Sequence, residues 1–405
     1  MTGSARAMRR WQGAAVFSYG FRPFFLLAGL WAALAMVLWL AMLAGWRLPM
    51  ARVFAATDWH VHALVFGYLS AVIAGFLLTA VPNWTGRLPV VGRGLAALAA
   101  LWLLGRLATL LGGGLPFVAL MLADLAMLLA LLGFLAREIV AGRNWRNLPV
   151  LGLLALFALA NGLFHLEAAA GRPAHDGIGL RLGLASALML IALIGGRIVP
   201  SFTRNWLARR EGALMPVPFN RADGAVTVLT GAALVAFVLA PDGNASAALL
   251  GAAGLANLWR MGRWRGWQTM REPLLWVLHL AYAMLGFGFL AVAAAALGWL
   301  APSPARHVWL AGAIGLMTLA VMTRASLGHA GLPLQAGRAI TALYLTLAAA
   351  VPARLAAGLW PAEIWLMHLS AVLWILAFGG FALLFWPILT RPRASLKKPG
   401  RATPR

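Results

Sequence analysis

The chain has 405 residues, 62% of them hydrophobic and 11% charged. Its mean hydropathy of +0.85 is far above that of a soluble domain, where about 45–50% of residues are apolar, so the composition excludes a soluble enzyme and indicates a chain that lives in lipid. The formal charge of +23 comes in short clusters between apolar runs and not on one basic face, which excludes nucleic acid as partner. Cysteine is absent, so disulfides, iron–sulfur clusters and thiolate metal sites are excluded as well. A bound metal must use His, Met, Tyr, carboxylate or backbone groups. The start, MTGSARAMRRWQGAAVFSYGFRPFF, is basic and aromatic, and the apolar run after it continues for spanning length. It reads as the approach to a first membrane helix and not as a cleavable signal.

Apolar runs of about 17–25 residues, enough to cross roughly 30 Å of hydrocarbon, follow one another between Arg, Pro and Gly punctuation. They cover 24–45, 59–81, 94–111, 117–138, 149–169, 179–199, 222–240, 244–262, 273–297, 306–325, 338–359 and 364–389. The expectation is an all-α polytopic membrane protein with about twelve transmembrane helices in one bundle over 24–389. A basic N-terminal segment, 1–23, and a basic, disordered tail, 390–405, flank it. Placing both termini and the even-numbered loops on one side collects about 26 of the 33 basic residues there, so both termini are expected on the cytoplasmic side of the membrane. Similar wording ends the second, sixth and tenth runs: LLTAVPNWTGR, IGGRIVPSFTRNW and LAVMTRASLGH. The spacing of about 120 residues fits three units of four helices, and a shared interfacial composition without repetition would produce the same likeness.

Ionisable residues inside a membrane are costly, and the eight histidines are the informative set. In the expected topology His60, His62, His165, His175, His307 and His368 fall toward the outer side, and His279 and His329 toward the inner. The stretch TDWHVHALVFGY (57–68) opens the second helix, with Asp58 expected as N-cap. On a helix His60 and His62 are about 200° apart, so they cannot grip one metal together. An α-helical projection sets His60 above Leu64, Gly67, Ala71 and Ala74, continued by Gly75, and His62 above Phe66, Leu69, Ile73 and Phe76. The small-residue face fits either a neighbouring helix or a flat porphyrin held by the histidine above it.

His307 opens the tenth helix at similar depth, so His60 or His62 with His307 can supply the two axial ligands of a b-type haem. Arg306, Arg47 and Arg52 are candidate partners for its propionates, or ordinary interface anchors. His279 lies two turns inside the ninth helix, one turn before Tyr282, and is either a structural hydrogen-bonding group or a metal or proton site. His165 with Glu167 joins the outer cluster or ends helix five. His329 is expected in an inner loop and His175 in a solvated one, while His368 is placed either to be held by Glu363 or to bind a second metal. Among deep carboxylates Asp124 is the clearest, with Arg106 as its candidate partner. No phosphate loop, dinucleotide fingerprint or Ser/His/Asp order is present.

Several blocks, in order, resemble the NnrS family of haem- and copper-containing bacterial membrane proteins associated with nitric oxide metabolism and tolerance. They are GFRPFF (20–25), WHVHALVFGY (59–68), GFLLTAVPNWTGR (75–87), GGRIVPSFTRNWL (195–207), LWVLHLAY (275–282), HVWLAGAIG (307–315) and LAVMTRASLGHAG (319–331). The resemblance implies bound haem and copper, with His60, His62, His279, His307 and His329 at the matching positions. It departs at Ala63, where the family pattern usually continues the histidine pair with Glu. By analogy alone, twelve helices with histidines on the second and tenth look like the core subunit of haem–copper oxidases.

The leading expectation is a haem protein that binds, senses or redox-processes nitric oxide or species derived from it, in the lipid bilayer and with a redox partner the sequence does not identify. A secondary transporter using Asp124, Arg106 and His279, and a haem-bearing sensor or assembly factor without turnover, are the alternatives.

Overall fold

The computed structural model describes residues 11–392 apart from residue 88. The expected basic tail therefore lies outside the described residues from 393 onward, as do the first ten residues of the N-terminal segment. Among the described residues there are twelve long helices and no strands. They are α1 (Phe21–Leu43), α2 (Ala56–Thr85), α3 (Arg93–Leu111), α4 (Phe117–Ala141), α5 (Leu148–Ala169), α6 (Ile178–Leu207), α7 (Arg221–Leu239), α8 (Asn244–Gly262), α9 (Pro273–Ala296), α10 (Pro302–Ala330), α11 (Arg338–Leu359) and α12 (Ile364–Thr390). Eleven are long and apolar enough to cross a membrane. The exception is α8, where Asn257 and Arg260 are buried polar groups in a segment diluted by Gly, Ala and Ser.

The helices form three groups of four. Helix α1 packs on α2 and on α12, α5 on α6 and on α4, and α9 on α10 and on α8, so the first helix of each group bridges to the last helix of another. Helices α2, α6 and α10 touch one another pairwise at the centre. These are the three helices whose ends carry the recurring wording. Among the described residues they alone contain π-helical stretches, at Ala63–Tyr68, Ile191–Gly195 and Val308–Gly315. A π turn admits an extra residue and rotates the face that follows.

That rotation overturns the porphyrin reading of the small-residue face. A Cβ on Gly67 would lie 2.2 Å from Arg106 Nη1 and 2.8 Å from Trp31 Nε1, and one on Gly75 would lie 2.7 Å from the Phe25 ring. Both glycines let neighbouring helices approach closely. Of the expected face only Leu64 shares a cavity with His60, where Val61, Val65, Tyr68 and Leu69 of the same helix join it.

Three other expectations change. Helix α2 starts at Ala56 without a side-chain cap, and Asp58, in its first turn, accepts bonds from the His175 backbone N–H (2.8 Å) and Nδ1 (2.7 Å). His175 is thus tied to α2 and is not simply solvated. Helix α1 begins at Phe21, before position 24, because Pro23 is tolerated in a first turn; buried Arg22 there donates to the carbonyls of Arg391 (2.8 Å) and Ala15 (3.3 Å). At the start of α6 the Glu167 carboxylate accepts the free amides of Ile178 (2.9 Å) and Gly179 (3.1 Å), the electrostatically favoured place for an anion.

Gly75→Leu, which drives a side chain into the Phe25 ring, is expected to destabilise the detergent-solubilised protein by about 1–3 kcal/mol. Gly133→Leu, at a position with open space around it, is expected to leave the thermal midpoint nearly unchanged. Equal shifts for the two would contradict the packing described here.

Candidate functional site

Helices α2 and α10 both begin at the end of the bundle that the basic-residue count assigns to the outside. Between them lies a cavity of about 430 Å³, walled mainly by apolar side chains of α1, α2, α10 and α12. His60 and His307 both line it. The His60 ring stacks on Trp39, with centroids 4.5 Å apart and planes inclined by 21°. Its Nδ1 is buried and has no hydrogen-bond partner among the described residues, an arrangement that costs free energy unless a ligand satisfies it. The His307 Nδ1 lies 2.7 Å from the Ser303 carbonyl oxygen. A carbonyl only accepts, so Nδ1 is the donor, and in the neutral ring Nε2 keeps its lone pair. That is the usual second contact of a metal-ligating histidine.

Two arginines reach the same cavity. Arg306 pairs with Asp176 and donates to the His175 carbonyl (3.4 Å), so its charge is already answered within the chain. Arg354 donates to the Ser303 hydroxyl at 3.1 Å and makes no ion pair with a described residue. Arg47 and Arg52 are exposed and do not line the cavity. At its floor the Tyr68 hydroxyl meets Thr318 Oγ1 at 2.5 Å, joining α2 to α10.

His62 points elsewhere. Its ring is fully buried, and Nε2 lies 3.0 Å from Asp124 Oδ2 and 2.9 Å from Asn161 Oδ1. His165 Nε2 is also 3.0 Å from Asp124 Oδ2, and the Asn161 side-chain amide donates to the same oxygen at 2.8 Å. Arg106 takes the other carboxylate oxygen in a buried ion pair. The expected pairing of Asp124 with Arg106 is present. So is a second grouping: one ligand atom from each of His62, Asp124 and His165 lies within 4.8 Å of the others, close enough to share a metal ion. Phe54, Phe66 and Phe164 surround the two rings and keep water out.

The remaining candidates are dispersed. His279 shares a 2.8 Å hydrogen bond with Thr203 Oγ1, and its partner helix is α6, not α2. Tyr282 donates to Asn257 Oδ1 (2.8 Å) and accepts from Arg260 (3.1 Å), which also binds Asp223. His329 lies in the last turn of α10, not in a loop, with its ring against Tyr19 and Phe21. His368 is exposed, and Glu363 accepts from Trp365 Nε1 at 2.9 Å; the expected Glu363–His368 contact is not among those observed. Ala63 is buried, and its carbonyl accepts from Trp31 Nε1 at 2.8 Å.

Arg354, Trp39 and Asn161 were not singled out by the sequence. Asn161 and His165 stand four residues apart in an apolar run, the spacing of neighbours on one helix face, and Arg354 is a charge inside another apolar run. Both signals are legible in retrospect. Trp39 carries none, being one of 19 tryptophans.

Fold and sites together define a multi-pass helical membrane protein with two histidine groups at one end of its bundle, one buried and one lining a cavity. A family model described as NnrS protein matches residues 15–393, and the chain belongs to the NnrS family. No curated protein and no solved structure matches it.

In a double-mutant cycle, Asp124→Asn and Arg106→Met are expected to show a coupling energy of about 1–3 kcal/mol, because either single change strands a charge or a polar group in an apolar interior. Unfolding of the solubilised variants measures it. Additive losses would show that the two side chains do not interact.

Proposed function

We propose that this chain is a haem-binding protein of the bacterial cytoplasmic membrane that binds or redox-processes nitric oxide or a species derived from it. The observation that carries the reading is the convergence of His60 and His307, from the second and tenth helices, on one cavity. Haem, when bound, supplies an iron centre for diatomic ligands and one-electron chemistry. His60 and His307 would hold it. The Trp39 ring restrains the His60 imidazole, and the Ser303 carbonyl fixes the tautomer of His307. Arg354 offers a cation for a propionate, with Arg306 second because Asp176 already engages it. The apolar wall excludes water.

A copper ion, the second metal implied by the family, has a candidate position at His62, Asp124 and His165. Two imidazole nitrogens and a carboxylate oxygen suit Cu(II) or Zn(II). The Nδ1 atoms of both rings lack partners, however, and ligand histidines normally donate from that atom. The group is equally satisfied with both rings donating Nε2–H to Asp124, so the haem reading is the stronger of the two.

The transporter alternative is less well supported. Asp124 and Arg106 spend their charges on each other, and His279 bonds to Thr203 in a separate part of the bundle. A haem-bearing sensor without turnover uses the same cavity and remains within the proposal.

Purified wild-type protein, expressed with haem available, is expected to show a Soret band. His60→Ala and His307→Ala should each weaken or abolish it, and His368→Ala should retain it. Full haem content in the His60→Ala/His307→Ala double variant would refute the proposed ligand pair. For copper, elemental analysis is expected to show metal in the wild type that His62→Ala/His165→Ala lacks while its Soret band persists. Equal metal content in the two would leave the cluster as a structural ion pair.

A further inference from the structure

The recurring ends of α2, α6 and α10 meet at the opposite face of the bundle, around a cavity of about 790 Å³. Arg197 from α6, Arg324 from α10 and Arg146 from the link between α4 and α5 line it, beside Asn83 at the end of α2. No carboxylate is among the lining residues. None of the three arginines has a hydrogen bond or ion pair to a described residue. Arg324 lies over the Phe202 ring, 4.2 Å from its centroid. The Glu272 charge acts on it, but that carboxylate, whose Oε1 accepts from the amides of Leu274 and Ala336, does not line the cavity. Arg197 feels the charges of Arg146 and Arg260, and Arg260 is already paired with Asp223. Interface arginines that only anchor a helix have no need to converge. Here three cations share one concavity that no carboxylate lines.

We propose that this cavity is an oxyanion site, in which Arg146, Arg197 and Arg324 bind a phosphate group. Guanidinium groups recognise such anions through paired N–H donors. The phosphate is either free in the cytoplasm or the headgroup of an anionic lipid, and the apolar side of the cavity, at Phe76, Ile194 and Ile198, accepts either. The site is independent of the haem reading, since it shares no residue with the outer cavity.

The test uses the full-length protein in detergent, before and after exhaustive delipidation, with inorganic phosphate as probe. Wild-type protein is expected to gain thermal stability saturably with phosphate at constant ionic strength. Arg197→Gln/Arg324→Gln should weaken the apparent Kd by about tenfold or more, and the Lys counterparts should restore part of it. If the source is lipid, mass spectrometry of the purified wild type will show a retained anionic phospholipid that the Gln double variant lacks, with phosphate binding seen only after delipidation. Arg146 sits on an exposed link, so Arg146→Gln provides a variant with little risk to folding and should lower affinity in the same direction. Neither phosphate stabilisation nor retained anionic lipid in the wild type, or equal binding in wild type and variants, would overturn the proposal.

Discussion

Two residues on an α-helix point about 200° apart when one residue separates them. His60 and His62 obey this constraint, and the rest of the outer half of the molecule depends on it. One ring faces a cavity bounded by α10 and α12; the other faces a carboxylate on α4. A single helix turn thus sends its two rings into separate surroundings, one lining a cavity and one closed in by internal bonds. The π-helical stretch that follows in α2 turns Gly67 and Gly75 against Arg106 and Phe25, and these close approaches hold α2 at the centre of the bundle.

Charge pairing divides the molecule further. In an apolar medium an unanswered charge is costly, so ionisable groups persist there only with partners. Asp124 meets Arg106, Asp223 meets Arg260 and Arg263, Asp58 meets His175, and Asp176 meets Arg306. The last two pairs run as a chain across the outer face from α2 through the α5–α6 link to α10, forming a rim over the cavity that holds His60 and His307. With only ten Asp and Glu in the chain against 33 Lys and Arg, carboxylates are spent where they order the structure. The cavity of Arg146, Arg197 and Arg324 has no carboxylate in its lining.

Much of the fold was legible in the sequence because spanning length and hydropathy are local properties. The twelve runs correspond to the twelve long helices, with ends shifted by up to eight residues. The recurring ends of the second, sixth and tenth runs mark the three central helices. Errors arose where one residue's role depended on a distant one. Asp58 had the chemistry of an N-cap, but His175 offered two donors. Glu363 was placed to meet His368, but Trp365 supplied an indole N–H nearer by. Gly67 was assigned to the His60 face because projection assumed 3.6 residues per turn, and a π stretch is a feature of packing that composition does not announce.

The sequence by itself determined the class of protein, the number of long helices and the few intramembrane residues costly enough to require a purpose, since these follow from transfer free energy summed along the chain. It also determined that His60 and His62 serve different neighbours, because helix geometry alone separates them. Only the tertiary structure decided which neighbours those are. It set His307 and Arg354 around His60, set Asp124, Asn161 and His165 around His62, and left His279 and His329 apart from both, since contacts between helices far apart in the chain are fixed by how the bundle packs and not by any local pattern.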